Sequence, residues 1–129
     1  MLGVAAYEPA DQFDVTIGLR GRWIVVELLG ELDLTTAPRL ESEVTAALDM
    51  PGDPRLALDL AGVTFCDSSG LAAFIRLWRN VQQRAGEFVL LRPQEYLLRW
   101  LEITGLRSRI DVRDDLADED TGLADLASA

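Results

Sequence analysis

A chain of 129 residues, 49% of them apolar, has the size and the material for one hydrophobic core, and its net charge of −10 sets it against nucleic acid and anionic membrane alike. It contains no histidine and no lysine, and Cys66 is its single cysteine. Those absences exclude a Ser/His nucleophile pair, imidazole and cysteine zinc cages, a P-loop, a lysine Schiff base and an internal disulfide, so neither a metal nor a cofactor is expected.

Residues 1–12, "MLGVAAYEPADQ", have no basic leader before an apolar block and read as a loose lead-in rather than a secretory signal. From Phe13 the chain alternates, with Phe13, Val15, Ile17 and Leu19 against Asp14, Thr16, Gly18 and Arg20, which predicts a half-buried strand. "RGR" supplies a turn. "WIVVELLG" follows as a deeper strand, interrupted by Glu27 and far short of the roughly 20 residues a bilayer demands. The two are expected to pair as an antiparallel hairpin.

After "GELDL" the spacing turns helical through Leu40, Val44, Ala47 and Leu48, with Thr36 in the N-cap position and Pro38 in the first turn. "DMPGDP" ends that helix, and "RLALDL" predicts a strand parallel to the previous one, since a helical crossover separates them. From Ser69 to Arg84, Leu71, Phe74, Ile75, Trp78 and Val81 share one face while Arg76, Arg79, Asn80 and Gln83 lie away from it. Gly86 closes this helix. "EFVLL" is a fourth strand, and Pro93 opens a third helix with Leu97, Trp100, Leu101 and Thr104 as its apolar positions. Gly105 followed by Leu106 matches a left-handed cap, and "SRIDVR" a last short strand.

The order β-β-α-β-α-β-α-β predicts a single α/β domain over 13–113 with a mixed, mostly parallel sheet. Residues 114–129 form an acidic tail with six carboxylates and no basic residue, which leaves about −4 on the body, and a weak terminal helix is expected around Leu123 to Leu126. Trp23, Trp78 and Trp100 read as packing residues, Cys66 as a small buried apolar side chain, and Arg76 and Arg79 as a solvated face.

In open sheets of this kind, sites lie at the carboxyl ends of parallel strands. Two polar turns fall there: "GELDLTT" at 30–36 and "CDSSG" at 66–70. Parallel neighbours would bring Asp33 and Asp67 to one edge. Ser68 stands where an N-cap is expected, and its hydroxyl could accept from the backbone of Gly70 or Leu71 with no further role. A phosphate there would also suit the helix terminus, while turning the edge into a strongly anionic knob.

The ordered set "GELD" (30–33), "DSSGL" (67–71) and "TGL" (104–106) resembles the STAS domain, and within it the bacterial anti-sigma factor antagonists, over about Phe13 to Val112. The resemblance implies a cytoplasmic, non-enzymatic regulator that binds an anti-sigma factor serine kinase and so frees a sigma factor. It implies phosphorylation at Ser68, with Ser69 as the fallback, and reversal by a metal-dependent serine phosphatase. It places Asp33, Asp67, Ser68, Ser69 and Gly70 at the partner-binding surface. Many members carry glycine where this chain has Ala72. Two other readings compete: a constitutive STAS adaptor subunit of a transporter or sensory complex, never phosphorylated, and a nucleotide-hydrolysing enzyme, against which the missing phosphate loop counts.

Overall fold

The computed structural model describes residues 13–116. The elements run β1 (Asp14–Arg20), β2 (Trp23–Leu32), α1 (Ala37–Ala47), β3 (Arg55–Cys66), α2 (Ser68–Gln83), β4 (Glu87–Leu91), α3 (Glu95–Ile103), a short 3-10 turn (Leu106–Ser108) and β5 (Asp111–Arg113). They form one five-stranded sheet in sequential order, β1-β2-β3-β4-β5. Only the β1/β2 pair is antiparallel, from Asp14 opposite Leu29 to Arg20 opposite Trp23; β2/β3, β3/β4 and β4/β5 are parallel. The α/β architecture expected from the sequence is the one observed.

A sequential strand order joined by crossovers of one hand puts every helix on the same side of the sheet. Accordingly Leu40 and Val44 of α1, Phe74 and Leu77 of α2, and Leu97 and Leu101 of α3 join a single core with Val26, Leu28, Leu58, Leu60 and Leu90. The opposite side of the sheet carries a smaller cluster of Trp23, Val25, Ala57, Val89, Leu91 and Leu116. Burial on both sides explains why the central strands read as nearly continuous apolar runs.

Several local expectations are corrected. In β1, Ile17 and Leu19 are 37% and 65% exposed, because the helix layer reaches only the start of the strand. There Arg39 of α1 donates to the Phe13 carbonyl at 2.9 Å and lies over its ring. The buried face of α2 is centred on Ala73 and Leu77 together with Phe74 and Val81, while Ile75 and Trp78 flank it half-buried. Trp100 is 38% exposed, since Leu97 and Leu101 take the inward face of α3 and Trp100 is turned about 100° from Leu101. That helix starts at Glu95, two residues after Pro93, and β3 runs six residues beyond "RLALDL".

Thr36 precedes α1 without capping it through its side chain, and the positive φ after α2 falls on Ala85 rather than Gly86. Gly105 adopts the left-handed conformation expected of it, at φ 79. The lead-in at 1–12, most of the acidic tail and the helix expected around Leu123 to Leu126 lie outside the described residues. No helix among the described residues is long and apolar enough to cross a membrane.

Candidate functional site: the carboxyl edge of β2 and β3

Strands β2 and β3 end side by side, with Leu32 opposite Cys66, so the next residue of each chain, Asp33 and Asp67, opens one of two adjacent turns. The Asp67 amide donates to the Leu32 carbonyl at 3.1 Å and ties the turns together. This is the shared edge that parallel pairing predicts.

Each aspartate organises its own turn. Asp33 Oδ1 accepts from the backbone amides of Thr35 at 2.9 Å and Thr36 at 3.1 Å. The Thr36 hydroxyl faces back, accepting from the Asp33 amide at 2.9 Å and donating to the Glu31 carbonyl at 2.8 Å. Those bonds direct the hydroxyl back into the turn, and it makes no cap bond to α1. At the second turn Asp67 is the N-cap: its Oδ1 accepts from Ser69 N at 2.8 Å and Gly70 N at 3.2 Å. The cap role expected of Ser68 therefore belongs to its neighbour.

Relieved of capping, Ser68 is the first residue of α2 and is exposed, and its hydroxyl has no hydrogen-bond partner among the described residues. Ser69 is half-buried and Gly70 fully buried. A Cβ on Gly70 would come within 2.7 Å of Cys66 Sγ and 2.8 Å of Leu32 Cγ, so glycine lets α2 begin directly against both strand ends. Gly70 therefore sits beneath the surface that the resemblance assigns it to. Burial, reinforced by the charge of Asp67, pushes the Cys66 thiol up from its ordinary 9.0 to about 12, as befits a packing residue.

A groove of about 330 Å³ runs beside Ser68, between the start of α1 and α2. One wall is Leu34, Ala37, Pro38 and Glu41; the other is Ser68, Ser69, Ala72 and Arg76. Leu34 is 76% exposed at its rim. Arg76 spans the far end through two 2.7 Å bonds to the Glu41 carboxylate, which hold its guanidinium above its ordinary range. Sequence reasoning leaves Arg76 on a solvated face and overlooks Glu41 and Leu34. Thirty-five residues separate the two halves of the clasp, and no local pattern joins them.

No group of three or more histidine, cysteine or carboxylate side chains among the described residues is arranged to hold a metal. The edge offers two organised carboxylates, an unengaged alcohol and a partly apolar groove. Such a surface can bind a protein and carry a modification.

The fold and this edge together define a STAS domain, and residues 15–119 match that family. An anti-sigma-B factor antagonist of Listeria monocytogenes is 33% identical over 91 residues, covering 70% of this chain and 79% of the relative. An anti-sigma factor antagonist from Mycobacterium paratuberculosis has a crystal structure that superposes with a TM-score of 0.73 at 25% identity, over 92% of this chain and 99% of that one. The Bacillus cell fate determinant SpoIIAA, solved in its phosphorylated form, shares the fold at a TM-score of 0.63 and 21% identity, over 83% of this chain and 94% of its own.

The chain belongs to the anti-sigma factor antagonist family of STAS domains. Members of that family are regulators and not enzymes.

Proposed function

We propose that this protein is a phosphorylation-gated switch whose unmodified form binds an anti-sigma factor serine kinase in the cytoplasm and thereby frees a sigma factor. The kinase phosphorylates Ser68 and ends the complex, and a metal-dependent serine phosphatase restores it. The observation that carries this reading is the exposed Ser68 hydroxyl with no bonding role in the fold, beside a helix cap that Asp67 already supplies. Ser69 is less accessible and serves as the fallback acceptor.

The energetics favour a charge gate. Taking a partner from about 99% bound to 99% free requires roughly 5.5 kcal/mol of differential affinity. Losing one neutral serine hydrogen bond supplies about 0.5–1.5 kcal/mol, whereas burying an unpaired phosphate of charge about −1.5 to −2 beside Asp67 costs several kcal/mol. The helix itself tolerates the anion, because its first-turn amides present partial positive charge. That a Bacillus protein of the same fold has been solved phosphorylated supports the view that such an architecture holds once modified.

The test is incubation with ATP and the cognate kinase, followed by mass-spectrometric mapping and calorimetric binding of both forms. Phosphate on Ser68 with loss of binding is expected. Modification elsewhere, or equal affinity before and after, overturns the reading.

A further inference from the structure

Strand β1 is one margin of the sheet and β5 the other. A margin strand presents a row of backbone donors and acceptors to any strand able to pair with it, and proteins blunt such edges by shortness, proline, lysine or a bulge. β5 is blunted, at three residues. β1 is not: its seven residues, "DVTIGLR", include neither proline nor lysine, and its register against β2 runs without a bulge.

The turn decides which backbone groups of β1 face outward. Gly21, at φ 58, and Arg22 join β1 to β2 as a two-residue turn, so Arg20 and Trp23 form the closing hydrogen-bonded pair. Bonding alternates along an antiparallel ladder. Asp14, Thr16, Gly18 and Arg20 therefore turn their amides and carbonyls towards β2, while Val15, Ile17 and Leu19 turn theirs out. The side chains of these three lie on the helix side of the sheet, Val15 against the core and Ile17 and Leu19 beyond it, 37% and 65% exposed.

This strand is complementary to itself. Laid antiparallel about Ile17, two copies set Ile17 opposite Ile17, Val15 opposite Leu19, and Asp14 opposite Arg20 at both ends. The three outward-bonding residues then meet only one another, each facing pair exchanging both of its hydrogen bonds. Asp14 and Arg20 fall at non-bonded positions, where facing side chains come closest, and there they join opposite charges. A slip of one residue sets outward groups against inward ones; a slip of two leaves one outward residue of each strand unmatched and parts Asp14 from Arg20. Arg20 also meets the exposed Asp115 carboxylate at 3.3 Å, which occupies one nitrogen of a guanidinium that carries five N–H donors.

We infer that β1 is a self-association edge: a second copy of this chain pairs with it antiparallel about Ile17, joining two five-stranded sheets into one across a twofold axis. Such a contact is isologous and closes at two copies, and the short β5 offers no second edge for a growing fibre. The pairing of two short strands covers less than the roughly 1,200 Å² of a standard interface, so the dimer is weak and follows concentration. It does not rest on phosphorylation at Ser68.

The test is amide hydrogen exchange by NMR on the full 15N-labelled chain at about 20 µM and about 1 mM, with sedimentation velocity at both concentrations. The amides of Val15, Ile17 and Leu19 are expected to gain protection severalfold as the dimer forms, while those of Thr16 and Gly18, bonded to β2, are protected alike at both. Asp14→Arg, an exposed substitution that sets like charges face to face, should weaken the dimer about tenfold or more, and combining it with Arg20→Asp should restore the dimer. The inference is overturned by a chain that stays monomeric at about 1 mM. It is equally overturned by a dimer that leaves exchange at the three amides unchanged, whether they are open throughout or covered by residues 1–12 of their own chain. An Asp14→Arg protein that associates like the parent, or a double variant no stronger than Asp14→Arg alone, also overturns it.

Discussion

At Asp67 a single carboxylate oxygen holds two backbone amides, and the adjacent Ser68 hydroxyl is thereby left out of the fold's hydrogen bonding. Stability and modification are divided between neighbours. Asp67→Ala should cost about 0.5–2 kcal/mol of unfolding free energy in urea, the usual loss for an N-cap, while Ser68→Ala should change it by less than about 0.5 kcal/mol and abolish phosphorylation. The sequence "DSS" offers three cap candidates in a row, all with suitable chemistry. Which one caps depends on where the backbone turns from extended to helical, a matter of one residue that no pattern resolves.

Cys66, next along the chain, is an independent reporter. With its pKa at about 12 instead of 9.0, its thiolate fraction at pH 8 is about a thousandfold below that of an ordinary thiol, so labelling by a disulfide reagent should proceed only as fast as the protein opens. Between pH 9.0 and about 12 the unfolded chain gives up this proton and the folded one keeps it. Folding stability should therefore fall with rising pH across that window and be indifferent to Cys66 below it. Labelling at the rate of a free thiol would contradict the burial.

Among the elements, β3 shows both what was legible and what was not. Its apolar run predicts a strand, and alternation of strands with helices predicts the parallel sheet, because periods of two and 3.6 residues are written into the chain. Contacts across the sheet leave no such record. Asp59, buried in β3, binds Arg92 beyond the end of β4 and accepts from the Ala61 amide at 3.1 Å. Neither partner stands out in sequence, and the pair is visible only once β3 and β4 lie in register. Arg92→Ala leaves that carboxylate short of a donor and should destabilise the protein by about 1–3 kcal/mol, measured by chemical denaturation.

The misjudged faces have two causes. Ile17 and Leu19 are apolar residues in the proper period whose covering helix ends too soon, and the length of the helix layer is a tertiary fact, whereas Trp100 sits on α3 turned about 100° from the inward Leu101. Gly70 is the opposite case, a residue without a side chain whose importance comes from closeness. Gly70→Ala pushes a methyl into Cys66 and Leu32 and should cost about 1–3 kcal/mol, the range for overpacking, with a matching fall in melting temperature.

On the scale of the whole molecule, six of the ten net negative charges fall in the tail at 114–129, and the remaining charge, about −4, belongs to a body whose sheet has two unlike ends. One presents Asp33, Asp67 and the groove with its Glu41–Arg76 clasp; the other is rich in arginine around Trp23. Asp33→Asn preserves the oxygen that accepts from Thr35 and Thr36, so the fold should be unaffected. If Asp33 meets the kinase as proposed, removal of its charge should weaken the complex roughly 10- to 100-fold by calorimetry, the worth of one hydrogen bond to a charged group. Ser68→Asp, with half the charge of a phosphate, should fall between the unmodified and phosphorylated forms in affinity; tightness equal to the parent would remove charge as the gate.

The bond from Asp67 to the Leu32 carbonyl makes the two acidic turns parts of one rigid margin rather than two independent loops. A visitor to that margin meets a surface assembled in advance and has no segment to order on arrival. The heat-capacity change of docking should then track the apolar area covered and nothing more, and exchange between partners should run at the tempo of the enzymes that write and erase the mark.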